Sequence, residues 1–221
     1  MISKYKFRPF NYKHIIWDWN GTLIDDAWLF VDVMNKLLKK YDLNKITINK
    51  YKNIFQFPIK NYYKQLGFNI KKNYFEKLGL EFIKEYEKRL YDARLYPLTE
   101  NVLSKLSTSE TKHHILSASH QELLNNQIKH YKIEKYFSHV VGLSNYFANS
   151  KIEEGIKLVK KMNTNNNDIL FIGDTIHDCE VANELNIDCL LISHGHNSHS
   201  RLLKTNNMVI INMENIINEL L

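Results

Sequence analysis

The sequence predicts an α/β protein: a parallel sheet covered on both faces by helices, three layers deep, interrupted by an all-helical insertion. Three observations carry this. Short apolar runs of buried-strand character recur along the chain and alternate with segments of helical period. The first of these runs stops abruptly at a carboxylate and a glycine turn. Residues from about 26 to 94 carry helical periodicity and no strand signal.

The elements follow in order. His14, Ile15, Ile16 and Trp17 form an apolar run that ends in Asp18, followed by Asn20, Gly21 and Thr22, which fits a buried strand entering a loop. The spans 27–40 and 73–90 read as long amphipathic helices. Val31, Met34, Leu37 and Leu38 make one apolar stripe, and Phe75, Leu78, Phe82, Ile83 and Tyr86 make another. Such stripes are expected to be core. Between them, Pro58 and Gly67 break the pattern into one or two shorter helices. Later strands are expected at 114–117, 139–142, 169–173 and 189–193, with a weaker one at 208–211. Helical segments at 100–106, 121–130, 152–162 and 179–185 separate them, so the strands run parallel. Residues 1–25 and 95–221 then make the α/β core, and 26–94 the insertion.

Composition narrows the function classes. The chain has 221 residues, 44% of them hydrophobic, enough for one sizeable core. No run reaches the ~18 apolar residues of a membrane span. The basic, aromatic stretch 1–10 has no signal-peptide core. A cytoplasmic protein without a membrane partner is expected. Cys179 and Cys189 are too few for a disulfide framework and are expected to be reduced and buried. The formal charge is +6, but Arg8, Arg89, Arg94 and Arg201 are the only arginines. Specific contacts to bases and phosphates favour arginine, so nucleic acid is not the expected ligand. Nothing in the composition indicates an oligomeric state.

Chemistry concentrates at strand ends. In an open parallel sheet, ligands sit beyond the carboxyl ends of the strands. There the sequence places Asp18, Ser117 and the Gly173–Asp174 pair with Asp178, and Lys151 opens the helix before that last strand. Carboxylates gathered at one spot repel one another unless a cation is present. Hard oxygen ligands suit Mg²⁺, which also accepts phosphate oxygens. A lysine and a serine hydroxyl would serve an anionic substrate.

The stretch Asp18-Trp19-Asn20-Gly21-Thr22-Leu23 resembles the first motif of the haloacid dehalogenase-like superfamily. Ser117 and Lys151 resemble its second and third motifs, and Gly173-Asp174-Thr175-Ile176-His177-Asp178 is similar to its acidic fourth. Order and spacing match over nearly the whole chain, and the form of the first motif resembles phosphoglycolate-phosphatase-like members. The resemblance implies a Rossmann-like core with a helical cap over 26–94, re-entering the core at Tyr96-Pro97-Leu98. It implies hydrolysis of a small phosphorylated metabolite, with Asp18 attacking phosphorus to form an aspartyl-phosphate. Mg²⁺ would be held by Asp18, the backbone carbonyl of Asn20, Asp174 and Asp178. Ser117, Lys151 and the backbone around Gly21, Thr22 and Ala118 would bind the phosphoryl oxygens, with His177 near the substrate.

One position departs from the pattern. Most phosphatases of the superfamily carry a second aspartate two residues after the nucleophile, where this chain has Asn20. An amide cannot shuttle a proton near neutral pH. Three readings follow. A phosphatase could use a surrogate acid, such as His177, His194 or His196, or a leaving group that needs little protonation. A relative could cleave carbon–halogen or carbon–phosphorus bonds, the latter with a cap lysine drawn from Lys36, Lys39, Lys40 or Lys60. A binding protein could have kept the site and lost turnover.

Overall fold

The computed structural model describes residues 12–107, 110–144 and 151–220. The stretch 1–10 lies outside the described residues. Strand β1 (His14–Trp17) is buried at every position. A tight loop leads to β2 (Ile24–Asp25) and then to four helices: α1 (Ala27–Lys40), α2 (Ile48–Ile54), α3 (Ile59–Gln65) and α4 (Lys72–Glu87). Strand β3 (Arg94–Leu95) returns antiparallel to β2, pairing Leu95 with Ile24 and Arg94 with Asp25. The helical insertion is thereby clamped at its neck by two short strands that its apolar periodicity does not announce.

The remaining chain alternates. In order come α5 (Thr99–Leu106), β4 (Lys112–His120), α6 (Gln121–His130), β5 (Phe137–Leu143) and α7 (Lys151–Met162). Then follow β6 (Ile169–Gly173), α8 (Ile176–Glu184), β7 (Asp188–Ile192), α9 (His199–Leu202), β8 (Met208–Ile210) and α10 (Met213–Leu220). The six-stranded sheet runs β5-β4-β1-β6-β7-β8, parallel throughout. Sheet and helices thus form the Rossmann-like α/β core.

Alternation along β1 serves both faces. Ile15 and Trp17 enter the larger core with Ile115, Leu170 and Ile172, while Ile16 joins Leu116, Phe171 and Val181 beneath α7 and α8. Trp17 and Trp19 are fully buried, and each satisfies its indole N–H, Trp17 on His113 Nδ1 (3.0 Å) and Trp19 on Gln127 Oε1 (2.9 Å). Truncating a buried ring of this size costs on the order of 3 kcal/mol or more. These anchors fix the loop between them, where Asp18 sits.

The strand order places that loop at a switch point. The chain passes from β1 to β4 and β5 on one side, then crosses to β6, β7 and β8 on the other. Crevices open at such reversals, outside the carboxyl ends of the strands. Trp17 is in register with both Ile115 and Ile172, so Asp18, Ser117 and Asp174 emerge at nearly one level.

Candidate active site

Asp18 continues β1 by one hydrogen bond, its N–H donating to the Ile172 carbonyl at 2.9 Å. Its carboxylate is buried and accepts from Lys151 Nζ at 2.6 Å. The same ammonium donates to Asp178 Oδ1, also at 2.6 Å. Asp178 stands where it does because it completes a capping box at the start of α8. Thr175 Oγ1 accepts from the Asp178 N–H, and Asp178 Oδ2 accepts from the Thr175 N–H at 2.9 Å. Asp174, one residue past β6, accepts from Thr22 Oγ1 (3.0 Å) and from the His196 N–H (2.5 Å). Carboxylate oxygens of Asp18, Asp174 and Asp178 all lie within 4.8 Å of one another.

The electrostatics follow from burial and crowding. Burial, opposed by Lys151 and reinforced by the charges of Asp178 and Asp174, raises the Asp18 carboxyl to about 8. Burial likewise raises Asp174 to about 6, against the opposing charge of His196. Asp178 goes the other way: burial would raise it, but the charge and hydrogen bond of Lys151, with Thr175, hold it below the ordinary carboxylate range. Lys151 is raised, because Asp178 and Asp18 outweigh its burial. One ammonium against three buried carboxylates leaves an excess of negative charge lined by hard oxygens. That donor set fits a small divalent cation.

Two glycines let the loops converge. Gly21 has φ +75°, and a Cβ there would strike His196 and Asp174. A Cβ on Gly195 would strike Asp174 and the Gly21 carbonyl. The turn after β1 and the loop after β7 therefore close on Asp174 from two sides.

Ser117, Ala118, Ser119 and Lys151 face a cavity of about 180 Å³ that also exposes Asp18, Asn20 and Asp178. Its opposite wall comes from α1 to α4 and the segment between α2 and α3. The chain matches the sequence profile of haloacid dehalogenase-like hydrolases over residues 15–192. The chain belongs to the haloacid dehalogenase-like hydrolase family. It is similar in fold to a haloacid dehalogenase-like family hydrolase from Streptococcus pneumoniae (18% identity, TM-score 0.78). It is also similar to a protein described as a predicted phosphoglycolate phosphatase from Haemophilus somnus (18%, 0.76) and to one described as a predicted phosphatase from Clostridium acetobutylicum (18%, 0.77). Each likeness covers 94% of this chain and 97% of the other. Among curated proteins no sequence match is found.

For a haloacid dehalogenase-like hydrolase, the surroundings of Asn20 are the informative departure. Its Nδ2 donates to Asp26 Oδ2 (2.6 Å) and to Tyr86 Oη (3.1 Å), and its Oδ1 accepts from Ser119 Oγ (2.6 Å). Asp26 is fully buried and also accepts from the Gly21 N–H (2.9 Å), Tyr86 Oη (2.8 Å) and His196 Nε2 (3.1 Å). His196 Nδ1 meets Tyr51 Oη at 2.6 Å. Burial alone would lower the His196 pKa, but the charge and hydrogen bond of Asp26 outweigh it and raise it. Asn20 is thus a saturated member of a closed polar network.

Sequence reasoning missed Asp26, Tyr86, Ser119 and Tyr51. Asp26 sits at the N-cap of α1 but makes no capping bond. An acidic residue there reads as a helix cap, and only the fold turns it toward Asn20. His196 lies in a buried hydrogen-bonded loop.

His177 is placed otherwise than expected. Its ring stacks on Phe57 (centroids 4.4 Å apart) and its Nδ1 meets Glu180 at 3.1 Å. It lines a separate, smaller depression with Arg201 and Asn197, because the turn of α8 that aims Asp178 inward aims His177 away. Of the expected core stripes, Val31, Met34, Leu37, Leu38, Leu78 and Tyr86 are buried in the core and Phe75 and Phe82 pack against it; Met34, Phe75, Phe82, Ile83 and Tyr86 line the cavity as well. None of Lys36, Lys39, Lys40 or Lys60 lines it, so nothing favours an imine-forming cap lysine. Both cysteines are free thiols; Cys179 is buried and Cys189 half-buried.

Proposed function

We propose that this hydrolase is a Mg²⁺-dependent phosphomonoesterase that works through an aspartyl-phosphate on Asp18. The observation that carries this is the buried cluster of Asp18, Asp174 and Asp178 with Lys151, opening onto a cavity at the sheet's switch point.

Asp18, Asp174, Asp178 and the carbonyl of Asn20 would hold the metal, which supplies charge neutralisation for the transferring phosphoryl group. Asp18 attacks phosphorus, so one difficult displacement becomes two easier ones. Lys151 holds Asp18 in place and offsets negative charge beside it. Ser117 and the backbone of Ala118 bind phosphoryl oxygens; Gly21 and Thr22, expected to share this role, do not line the cavity, because their N–H groups turn to Asp26 and the Trp19 carbonyl and hold the loop instead. Asp178 positions Lys151 and the α8 N-terminus. Residues 26–94 act as a cap that excludes water and surrounds the leaving group. Among the described residues no helix is long and apolar enough to cross a membrane, and the free thiols favour the cytoplasm.

Phosphate release from a panel of monoesters, with Mg²⁺ and with chelator, tests this reading. Release that requires Mg²⁺ and is lost in Asp18→Asn is expected. Release unaffected by chelator, or undiminished in Asp18→Asn, overturns it.

A further inference from the structure

The walls of the cavity and the state of Asn20 constrain the same thing, the group that leaves with the ester oxygen. We infer that the substrate is a phosphate monoester of an aromatic, phenol-like alcohol, an inference that rests on the phosphatase reading above.

The first observation is the wall. The side of the cavity facing Asp18 is formed by Phe30, Met34, Phe55, Phe75, Phe82 and Ile83, with four tyrosines among them. Among the described residues, no lysine, arginine, aspartate or glutamate of 27–94 lines it. A leaving group bearing a carboxylate would be buried there with no cation to pair it, and a sugar would have only the tyrosine hydroxyls of that wall to pair its own. A flat apolar ring meets aromatic faces and edges on several sides. Tyr62 adds a polar handle: its hydroxyl is buried, without a hydrogen-bond partner among the described residues, on the cavity wall.

The second observation is proton supply. The carboxylates lining the cavity among the described residues are Asp18 and Asp178. The first is the nucleophile, and the second is bound to Lys151 and Thr175. Asn20 carries no transferable proton and spends its N–H groups on Asp26 and Tyr86. His196 engages both ring nitrogens within the network. No carboxylic acid stands ready for an alkoxide, and His120, at the end of β4, is the one other imidazole on the cavity wall among the described residues. A phenoxide is a far weaker base and departs without an acid.

The steps balance. An Asp18 oxygen bonds to phosphorus as the phosphorus–aryloxide bond breaks, and the electron pair leaves on the phenoxide. Water then attacks phosphorus, the bond to Asp18 breaks, and the carboxylate is restored. The water proton is taken up by the phenoxide, so ester and water give phenol and inorganic phosphate.

The test compares kcat/KM for phenyl phosphate, hexyl phosphate and phosphoglycolate with Mg²⁺ on the intact protein. Phenyl phosphate should exceed both by about 10²-fold, the low end of what general-acid help is worth to the poorer leaving groups. Among substituted phenyl phosphates, kcat/KM should rise with the acidity of the phenol. Hexyl phosphate or phosphoglycolate within about tenfold of phenyl phosphate overturns the inference, while leaving the phosphatase reading intact. If no ester is hydrolysed, the phosphatase reading fails, and calorimetry with phenylphosphonate and phosphonoacetate decides the ligand class. Tighter binding of phenylphosphonate upholds the aromatic site; equal or weaker binding overturns it. Ile83→Arg, at a half-buried wall position, should shift the preference toward phosphonoacetate. An unchanged preference in a folded variant argues against this wall contacting the ligand.

Discussion

Asn20 and Asp26 behave as one unit, joined by the hydrogen bond from Asn20 Nδ2 to Asp26 Oδ2. A carboxylate at position 20 would face Asp26 Oδ2 across the 2.6 Å now spanned by an N–H···O bond. Two buried carboxylates at that separation cannot both ionise. Asn20→Asp alone is therefore expected to lower the melting temperature and to bring no gain in rate. Combined with Asp26→Ser, it should recover stability and raise turnover of alkyl phosphates by up to about 10²-fold. A thermal melt and a phosphate assay on the single and double variants check this as a mutant cycle. Gly21→Ala is expected to cost about 1–3 kcal/mol, because φ +75° and the collision with Asp174 both oppose a side chain. Urea unfolding measures it, and weaker Mg²⁺ stabilisation should accompany it. At this scale the sequence was legible where chemistry and position coincide, as at Asp18, Asp174 and Lys151. Asp26 was not legible, because its partners Tyr86 and His196 are 60 and 170 positions away.

Among elements, the seam between α2 and the loop after β7 sets how the insertion sits on the core. Lys52 Nζ donates to the His194 carbonyl (2.7 Å), the Ser198 N–H donates to the Lys52 carbonyl (3.1 Å), and Asn197 Nδ2 donates to the Phe55 carbonyl (3.1 Å). Asn197→Ala removes a buried donor and leaves the Ile176 N–H, which donates to Asn197 Oδ1, without that acceptor, while Arg201 still donates to the Phe55 carbonyl, a loss of roughly 1–3 kcal/mol. Hydrogen exchange should then quicken in α2 and in residues 193–198, while β1 and β6 keep their protection. The parallel strands were readable from their apolar runs, since strands buried on both faces leave near-continuous hydrophobic stretches. The two-residue strands β2 and β3 were not, because pairs so short have no period. The stripe on α4 joins the core through Leu78 and Tyr86 and also forms part of the cavity wall. Periodicity reports which face turns inward and is silent on whether that face meets packed side chains or a cavity.

Across the whole molecule, buried neutral histidines link stability to pH. Burial lowers His113 and His194 to about 4, and burial with the neighbouring His14 and His139 lowers His114 to about 3. His114 lies between those neighbours, its Nε2 2.9 Å from His14 and its Nδ1 3.1 Å from His139. The unfolded chain binds protons at these groups near the ordinary value of 6.5, before the folded one does. Stability from them is therefore present above that value and lost as pH falls toward about 4 and then 3. Each such histidine contributes a slope of about 1.4 kcal/mol per pH unit in that window. Asp18 and Asp174, raised to about 8 and about 6, oppose this in the same window, so the histidine part is read as a difference: between neutral pH and about pH 5 the urea midpoint of His114→Asn should fall less, or rise more, than that of the wild type.

Asp18 is the nucleophile in this mechanism, beside an Asn20 that can activate neither leaving group nor water. An aryl ester should then load the enzyme quickly and discharge it slowly, giving a burst of phenol. Mass spectrometry of the wild-type protein, acid-quenched during turnover of phenyl phosphate, tests this most directly. A phosphoryl adduct on the peptide carrying Asp18 is the predicted result. Steady phosphate release with the adduct on another residue, or with none, would contradict the account.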